Sequence, residues 1–192
     1  MTLTKSQPIL EVRSAAEFRR WLDKHHDTVD GIWLKLYKKA SGKQTFTYDE
    51  ALDEALCYGW IDGLVNKFDE EAYIQRFTPR RPRSIWSKRN TEHIARLIKE
   101  GKMHPAGLKQ VELAKADGRW DQAYASPSNT QPPPDFLQAL HQDKEATAFY
   151  NTLNKTNTYA ISFRIHTAKK PETRERRIKQ IVEMLHQKKK FH

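Results

Sequence analysis

Residues 32–39, IWLKLYKK, decide the fold class, because they carry a strand pattern between segments that carry helix patterns. Ile32, Leu34 and Leu36 alternate with bulkier or charged side chains. This period of two predicts a β-strand with one buried face. The segments on either side of the strand indicate what it packs against.

Two capping boxes predict a helix on each side of this strand. Ser14 and Glu17 lie three residues apart, so each can satisfy a free backbone N–H in the first turn of a helix over residues 15–25. Thr47 and Glu50 repeat the pattern at the start of YDEALDEALCYG. The alanines and leucines of that second segment form one apolar face, as expected of a helix that packs on a sheet.

Acidic turn signals downstream predict a β-hairpin. Asp62-Gly63 directs the chain into GLVNKF, and Asp69-Glu70-Glu71 returns it through AYIQRFT. Together with the first strand, this hairpin predicts a small antiparallel sheet. The N-terminal half of the chain is therefore expected to combine this sheet with helices.

Helical periodicity dominates the sequence after Trp86. The segment TYAISFRIH, residues 158–166, alternates like a strand but also fits a helix face, and we assign it to a helix. The expected class is α+β, with a small antiparallel sheet and helices in the N-terminal half and a helical C-terminal half. The expected organisation is an α+β domain over residues 10–120, a Pro-rich connector over 121–133 and a helical region over 134–190.

Composition indicates a soluble protein of a reducing compartment. The single cysteine, Cys57, cannot form an internal disulfide. The first residues, MTLTKSQPIL, lack the apolar core of a signal peptide, and no stretch approaches the roughly 20 apolar residues of a membrane span. We therefore expect a cytoplasmic location and no membrane span.

The net charge of +10 is confined to two segments. Residues 76–90 contribute +6 and residues 164–190 contribute +7, so the rest of the chain carries −3. Confined positive charge attracts anionic partners over long distances, and counterion release adds to the binding if the partner is a polyphosphate. The alternative is that the charge serves only solubility.

The first basic segment reads RFTPRRPRSIWSKRN, from Arg76 to Asn90. Its prolines are three apart, which predicts an extended array that preorganises arginines for bidentate contact with phosphate or carboxylate. A tryptophan in the same segment can stack on a base. In the rival interpretation, Phe77 and Trp86 are buried anchors, and the arginines form salt bridges with the acidic helix at 49–54. The candidate anion-binding residues here are Arg76, Arg80, Arg81, Arg83 and Trp86.

The sequence contains no known catalytic constellation. Cys57 falls near the end of a predicted helix with no basic neighbour, which is typical of a packed core thiol. The histidines lack the spacing of metal ligands, and fingerprints of phosphate-cradling loops are absent. We therefore expect no metal, no cofactor and no catalytic residue. Asp62 is the one candidate for an orienting carboxylate or a general base, although a turn alone also explains it.

Four segments resemble one family. They are EALCYGWIDG, YIQRFTPRRPRSIWSKRN, GKMHPAGLKQVELAKADGRW and YAISFRIHTAKKPETRERRIKQIVEML. The chain is similar over about residues 10–187 to the YdeI/OmpD-associated family, also called bacteriocin-protection proteins. The resemblance implies roles in protection against bacteriocins or cationic peptides and association with an outer-membrane porin, and it brings no catalytic residues. The family pattern falls on Trp60, Asp62, Arg76, Thr78, Pro79, Arg80, Arg81, Trp86, Ser87, Ala168, Lys169, Pro171, Glu172, Thr173, Arg174, Arg177 and Ile178.

Three hypotheses of function follow. The first is a non-enzymatic stress or bacteriocin-protection protein that binds an anionic ligand or polyanion through the first basic segment, joined by Lys169, Arg174 and Arg177. The second is a nucleic-acid-binding protein that uses the same face. The third, which we favour least, is an enzyme that acts on a small anionic substrate with Asp62 as base. A protein partner is compatible with all three.

Overall fold

The computed structural model describes residues 7–43, 46–125 and 130–192. The chain divides into two compact units, Met1–Ala123 and Tyr124–His192, which we call the first and the second unit. The expected connector at 121–133 includes residues 126–129, which lie outside the described residues.

The first unit contains a sheet of four strands, β1 (Ile9–Leu10), β2 (Ile32–Tyr37), β3 (Trp60–Lys67) and β4 (Ala72–Pro79). Their order in the sheet is β1-β2-β4-β3. Strand β4 pairs antiparallel with both β2 and β3, whereas β1 pairs parallel with β2. The expected α+β class is confirmed, and the sheet is mixed because of β1. Two residues are too few for an alternating pattern, so the sequence did not predict β1.

The helices of the first unit are α1 (Ala15–His25), α2 (Tyr48–Cys57), α3 (Lys88–Lys99) and α4 (Pro105–Ala116), with a 3₁₀ turn at Lys39–Ser41. The capping box predicted at Thr47 and Glu50 is confirmed. At the start of α1 only the Ser14 half of the predicted box forms, because the Glu17 carboxylate accepts from the Arg13 backbone N–H. The Glu17 backbone N–H donates to Ser14 Oγ at 3.2 Å, and Thr47 and Glu50 bond each other reciprocally. These caps satisfy N–H groups that have no partner within the helix.

The hairpin is present, but the prediction of a turn at Asp62-Gly63 is wrong. Both residues lie inside β3, where the pairing register shifts between Asp62 and Val65. The shift is a β-bulge, a second setting in which glycine is common. The buried Gln75 amide stabilises the bulge by donating to the Gly63 carbonyl at 3.0 Å. The chain actually turns at Gly59, whose φ is 75°.

One face of the sheet packs against α1 and α2 to form the core of the first unit. Ile32, Leu34 and Leu36 of β2 are buried there, as their alternation predicted. Helix α4 approaches the end of α2 closely at Gly107. A Cβ atom at this position would lie 2.1 Å from the Cys57 carbonyl oxygen, so only glycine fits.

The second unit consists of α5 (Pro134–His141), α6 (Lys144–Tyr150), α7 (Lys155–His166) and α8 (Pro171–His186). Helix α7 confirms the helical assignment of residues 158–166. The core of this unit is made by buried side chains of all four helices, including Phe136, Ala146, Ile161 and Leu185. Across the described part of the chain, no helix combines the length and the apolar character needed to cross a membrane.

Candidate functional site

The loop between β4 and α3 contains a tight turn at residues 81–84, which we call the cationic turn. The Ser84 backbone N–H donates to the Arg81 carbonyl at 3.0 Å, and Arg83 has a φ of 67°. Pro82 at the second position and a positive φ at the third define a type II turn. The extended array expected from the two prolines is therefore wrong, because Pro82 starts a reversal of the chain.

Arg83 occupies a position that favours glycine. The third residue of a type II turn needs a positive φ, which a side chain with a Cβ atom adopts only at a cost of about 1–2 kcal/mol. Arg83 is exposed, and in the described part of the chain no carboxylate lies within 4 Å of its guanidinium. Local packing therefore gives no reason for an arginine here.

Two buried side chains hold the loop that carries this turn. Arg80 is only 6% exposed, and its backbone N–H donates to the Gly59 carbonyl at 3.0 Å. Its guanidinium carbon lies 3.4 Å from the ring centroid of Trp86, and Nη1 donates to the Ile85 carbonyl at 3.3 Å. Trp86 is itself 1% exposed, with its ring centroid 5.1 Å from that of Trp120. Both side chains are thus part of the interior.

Arg119 supports the same loop from the end of α4. It is 8% exposed, and its Nε bonds both carboxylate oxygens of Asp117 at 2.8 and 2.7 Å. Its Nη1 donates to the Ser84 carbonyl at 2.8 Å, which fixes the last residue of the cationic turn. Sequence reasoning missed Arg119, because no local pattern distinguishes an arginine after an Asp-Gly pair that reaches a loop 35 positions away.

Besides Arg89, the exposed cations of this region are Arg81, Arg83 and Lys88. Within the described residues, none of them has a carboxylate within 4 Å. The rival interpretation is correct for other arginines, since Arg89 pairs with Asp49 on the acidic helix α2. Asp53 and Glu54 on the same helix pair with arginines of α3 and α1. In the described part of the chain, the charges of Arg81 and Arg83 in the cationic turn are therefore not neutralised by a neighbouring carboxylate.

Asp62 lies on the helix-covered side of the sheet. It is opposite Phe77 in the β3–β4 ladder and accepts a hydrogen bond from the Tyr48 hydroxyl at 2.8 Å. Burial, together with the Asp62 carboxylate, raises the pKa of Tyr48 well above its ordinary value. Arg76, the neighbour of Phe77 in β4, lies on the opposite face of the sheet, because successive side chains of a strand alternate between the two faces. The carboxylate thus orients Tyr48, and it does not face Arg76.

In the second unit, too, some of the candidate basic residues form contacts within the fold and another is exposed. Arg174 forms a bidentate pair with Asp135, at 2.6 and 2.8 Å, and also donates to the Ile165 carbonyl at 3.1 Å. The guanidinium lowers the pKa of the Asp135 carboxyl. Arg177 donates to the Arg164 carbonyl at 2.5 Å, so the two arginines satisfy free carbonyls at the end of α7. Lys169 is exposed.

The remaining candidates for chemistry in the described residues are the Cys57 thiol and clusters of side chains that could hold a metal ion. Burial raises the pKa of the Cys57 thiol to about 11, so the thiol stays protonated at neutral pH, as a core cysteine does. In residues 7–43, 46–125 and 130–192, no three His, Cys, Asp or Glu side chains are placed to hold a metal ion. Sequence reasoning also missed a contact between His26 and His104, whose rings are 4.9 Å apart.

Comparison with known families gives two matches that together cover most of the chain. Residues 10–110 match a family described as a domain of unknown function (DUF8412). Residues 129–188 match the family described as bacteriocin-protection, YdeI or OmpD-associated. The resemblance inferred from the sequence is confirmed over this second segment, and a separate family model accounts for the first. Searches of curated proteins and of solved structures found no match.

Proposed function

Since the chain belongs to the family described as a domain of unknown function (DUF8412) and carries a bacteriocin-protection, YdeI or OmpD-associated segment, we propose that it is a non-enzymatic protection-type protein. It binds an anionic partner through the cationic turn, with Arg81 and Arg83 as the main contacts and Lys88 beside them. The observation that carries this proposal is the positive φ of Arg83.

Strain at a single residue persists only where the surrounding structure holds it, and such residues cluster at functional sites. Glycine at position 83 would relieve the strain. The arginine supplies instead a planar guanidinium whose donors match the oxygens of phosphate and carboxylate groups. Because nothing described pairs with it, this guanidinium is available to a partner.

The buried supports of the loop strengthen the proposal. Arg80, Trp86 and Arg119 fix the backbone on both sides of the cationic turn. A fixed loop loses little conformational entropy when it binds, so more of the interaction free energy appears as affinity. Arg80 and Trp86 therefore position the site from within the fold, and the exposed cations make the contacts.

The test uses fluorescently labelled inorganic polyphosphate and the full-length protein, titrated over about 50–200 mM salt. The variant Arg81→Ala/Arg83→Gly removes two cations and relieves the strained φ, so its fold is expected to be at least as stable. Its affinity should fall at least about tenfold, and its salt slope should decrease by about two, because two cations no longer meet a phosphate.

The matched control is Lys99→Ala/Lys109→Ala, which removes two exposed helical cations from the same unit. It carries the same net charge as the turn variant and should bind almost as well as the wild type. Equal losses in both variants would mean that net charge alone attracts the polyanion. Absence of binding at the lowest salt concentration would overturn the anion site altogether.

A further inference from the structure

The sheet of the first unit has a second face that does not take part in the core. Trp33 and Arg76 are directly opposite each other on this face, in the β2–β4 ladder. Neither belongs to the hydrophobic cluster beneath the other face, and both are half-buried. Ile9 of β1 pairs with Trp33, and the bulge of β3 lies across from Arg76.

A row across all four strands, which we call the open row, consists of Ile9, Trp33, Arg76 and the bulge residues Gly63 and Leu64. Its two ends are apolar and unusually exposed, since Ile9 is 51% and Leu64 is 65% accessible to solvent. Its centre combines one aromatic ring with one cation. Directly paired residues on neighbouring strands have Cβ atoms about 4.5–5.5 Å apart, so one ligand can contact both.

The charge of Arg76 is not neutralised. Its Nε donates to the Gln7 side-chain carbonyl at 2.8 Å, and no carboxylate of the described residues lies within 4 Å of it. Lys35, the cation of β2 on this face, differs from Arg76 because it pairs with Glu11 at 3.2 Å. The open row therefore presents a single uncompensated guanidinium beside an indole ring.

This pairing of groups matches the chemistry of single-stranded nucleic acid. A partly exposed aromatic ring can stack on an unpaired base regardless of sequence, and an adjacent arginine can bind the phosphate that follows. An inorganic polyanion has no aromatic or apolar group that could contact the indole ring or the exposed apolar ends. A double helix hides the faces of its bases, so it cannot stack on Trp33.

The cationic turn lies within reach of the same ligand. Arg76 and Arg81 are five residues apart along β4 and its extension, a separation of at most about 17 Å at the rise of an extended chain. We propose that a single-stranded nucleic acid runs from the cationic turn onto the open row, with a base on Trp33 and a phosphate on Arg76. The inference rests on the proposed function, because it names the partner of that anion site.

The experiment measures fluorescence anisotropy of a labelled oligothymidylate with the full-length protein, in parallel with labelled inorganic polyphosphate. Trp33→Ala should weaken oligothymidylate binding about tenfold, and Trp33→Phe, which keeps a ring, should restore most of it. Neither change should alter polyphosphate binding. Arg76→Gln should weaken oligothymidylate binding to a similar extent. Duplex DNA of the same length should compete poorly.

The outcomes separate the two proposals. If polyphosphate binds through the cationic turn but Trp33→Ala leaves oligothymidylate binding unchanged, the open row is not a nucleic-acid surface and the proposed function stands. If neither probe binds, both proposals fail. If oligothymidylate does not bind and light scattering shows a dimer that Trp33→Ala dissociates, the row contacts a second copy of the chain. That result would also overturn the inference.

Discussion

Two arginine-rich stretches of this chain look alike in sequence and differ in structure. In residues 76–90 the fold buries one arginine and exposes two others on a strained turn. In residues 169–177 the two arginines that we singled out turn back onto the end of α7 and onto Asp135. In the first arrangement the exposed guanidinium groups remain available to a partner, whereas in the second the guanidinium groups connect helices. The count of basic residues therefore does not distinguish a binding site from a structural contact.

The largest expected effect tests whether Trp86 is part of the core. Trp86→Ala removes a fully buried ring that packs on Arg80 and Trp120, so we expect a loss of about 3–5 kcal/mol in the free energy of unfolding, measured by urea denaturation. Trp86→Phe should cost much less, because the indole N–H has no acceptor among the described residues. A small loss for Trp86→Ala would instead indicate that this ring is accessible to a ligand.

The next effect tests the structural role of Arg174. Arg174→Ala removes the bidentate pair with Asp135 and the hydrogen bond to the Ile165 carbonyl, so the free energy of unfolding should fall by about 2–3 kcal/mol. Arg176→Ala is the matched control, because Arg176 is exposed and its loss should change stability little. Polyphosphate affinity should change equally in both variants. A selective loss of affinity in Arg174→Ala would instead make this arginine a binding residue.

A smaller effect, of opposite sign, tests the strain at the cationic turn. Arg83→Gly should raise the free energy of unfolding by about 0.5–1 kcal/mol, the relief of the positive φ less the added flexibility of the unfolded chain. Arg83→Ala keeps a Cβ atom and should not stabilise. If both variants were equally stable, the turn would store no strain, and the positive φ would no longer indicate a functional Arg83.

These contrasts show what could be predicted from the sequence. Local patterns encode the strand at 32–37, the Ser14 cap, the Thr47–Glu50 capping box and the helix at 158–166, and all four are confirmed. Strand β1 has only two residues, and its pairing with β2 is a long-range choice that no local pattern encodes. The Asp62-Gly63 pair fits a turn as well as a bulge, so pairing with β4 had to decide between them.

The candidate residues of the anion site were visible in the sequence, but their directions were not. Arg80 and Arg81 are neighbours, yet one stacks on Trp86 inside the fold and the other is exposed. The choice depends on partners far along the chain, such as Arg119, which reaches Ser84 from 35 positions away. Neighbouring basic side chains carry the same sign of charge but point in different directions. A basic segment therefore predicts where the electrostatic potential is positive, but not which side chains contact a ligand.

The smallest expected effect compares one histidine of each unit. Burial, with a contribution from His26, lowers the pKa of His104, whose Nδ1 accepts the Ala106 N–H at 3.2 Å as the N-cap of α4. In the second unit, hydrogen bonding to Asp143 raises the pKa of His186. As pH falls, His104 is therefore protonated at a higher pH in the unfolded chain than in the folded protein. His186 is protonated at a higher pH in the folded protein than in the unfolded chain.

The signs of the two contributions are opposite. The His104 contribution to stability is complete above the ordinary histidine pKa of about 6.5 and is lost as pH falls through the lowered folded value. The His186 contribution is complete below about 6.5 and is lost as pH rises through the raised folded value. Between about pH 7.5 and 5.5, where histidines titrate and most carboxylates do not, acidification should thus weaken the first unit and strengthen the second.

The tryptophans make this comparison measurable, because all five lie in the first unit. Tryptophan fluorescence then reports unfolding of the first unit in the intact chain, and amide hydrogen exchange follows helices α5–α8. His104→Asn keeps a side-chain cap without a titrating ring, so it should flatten the pH dependence of the fluorescence transition. His186→Gln should flatten that of exchange in the second unit. If both units weakened in acid and His186→Gln changed nothing, the His186–Asp143 contact would contribute no stability.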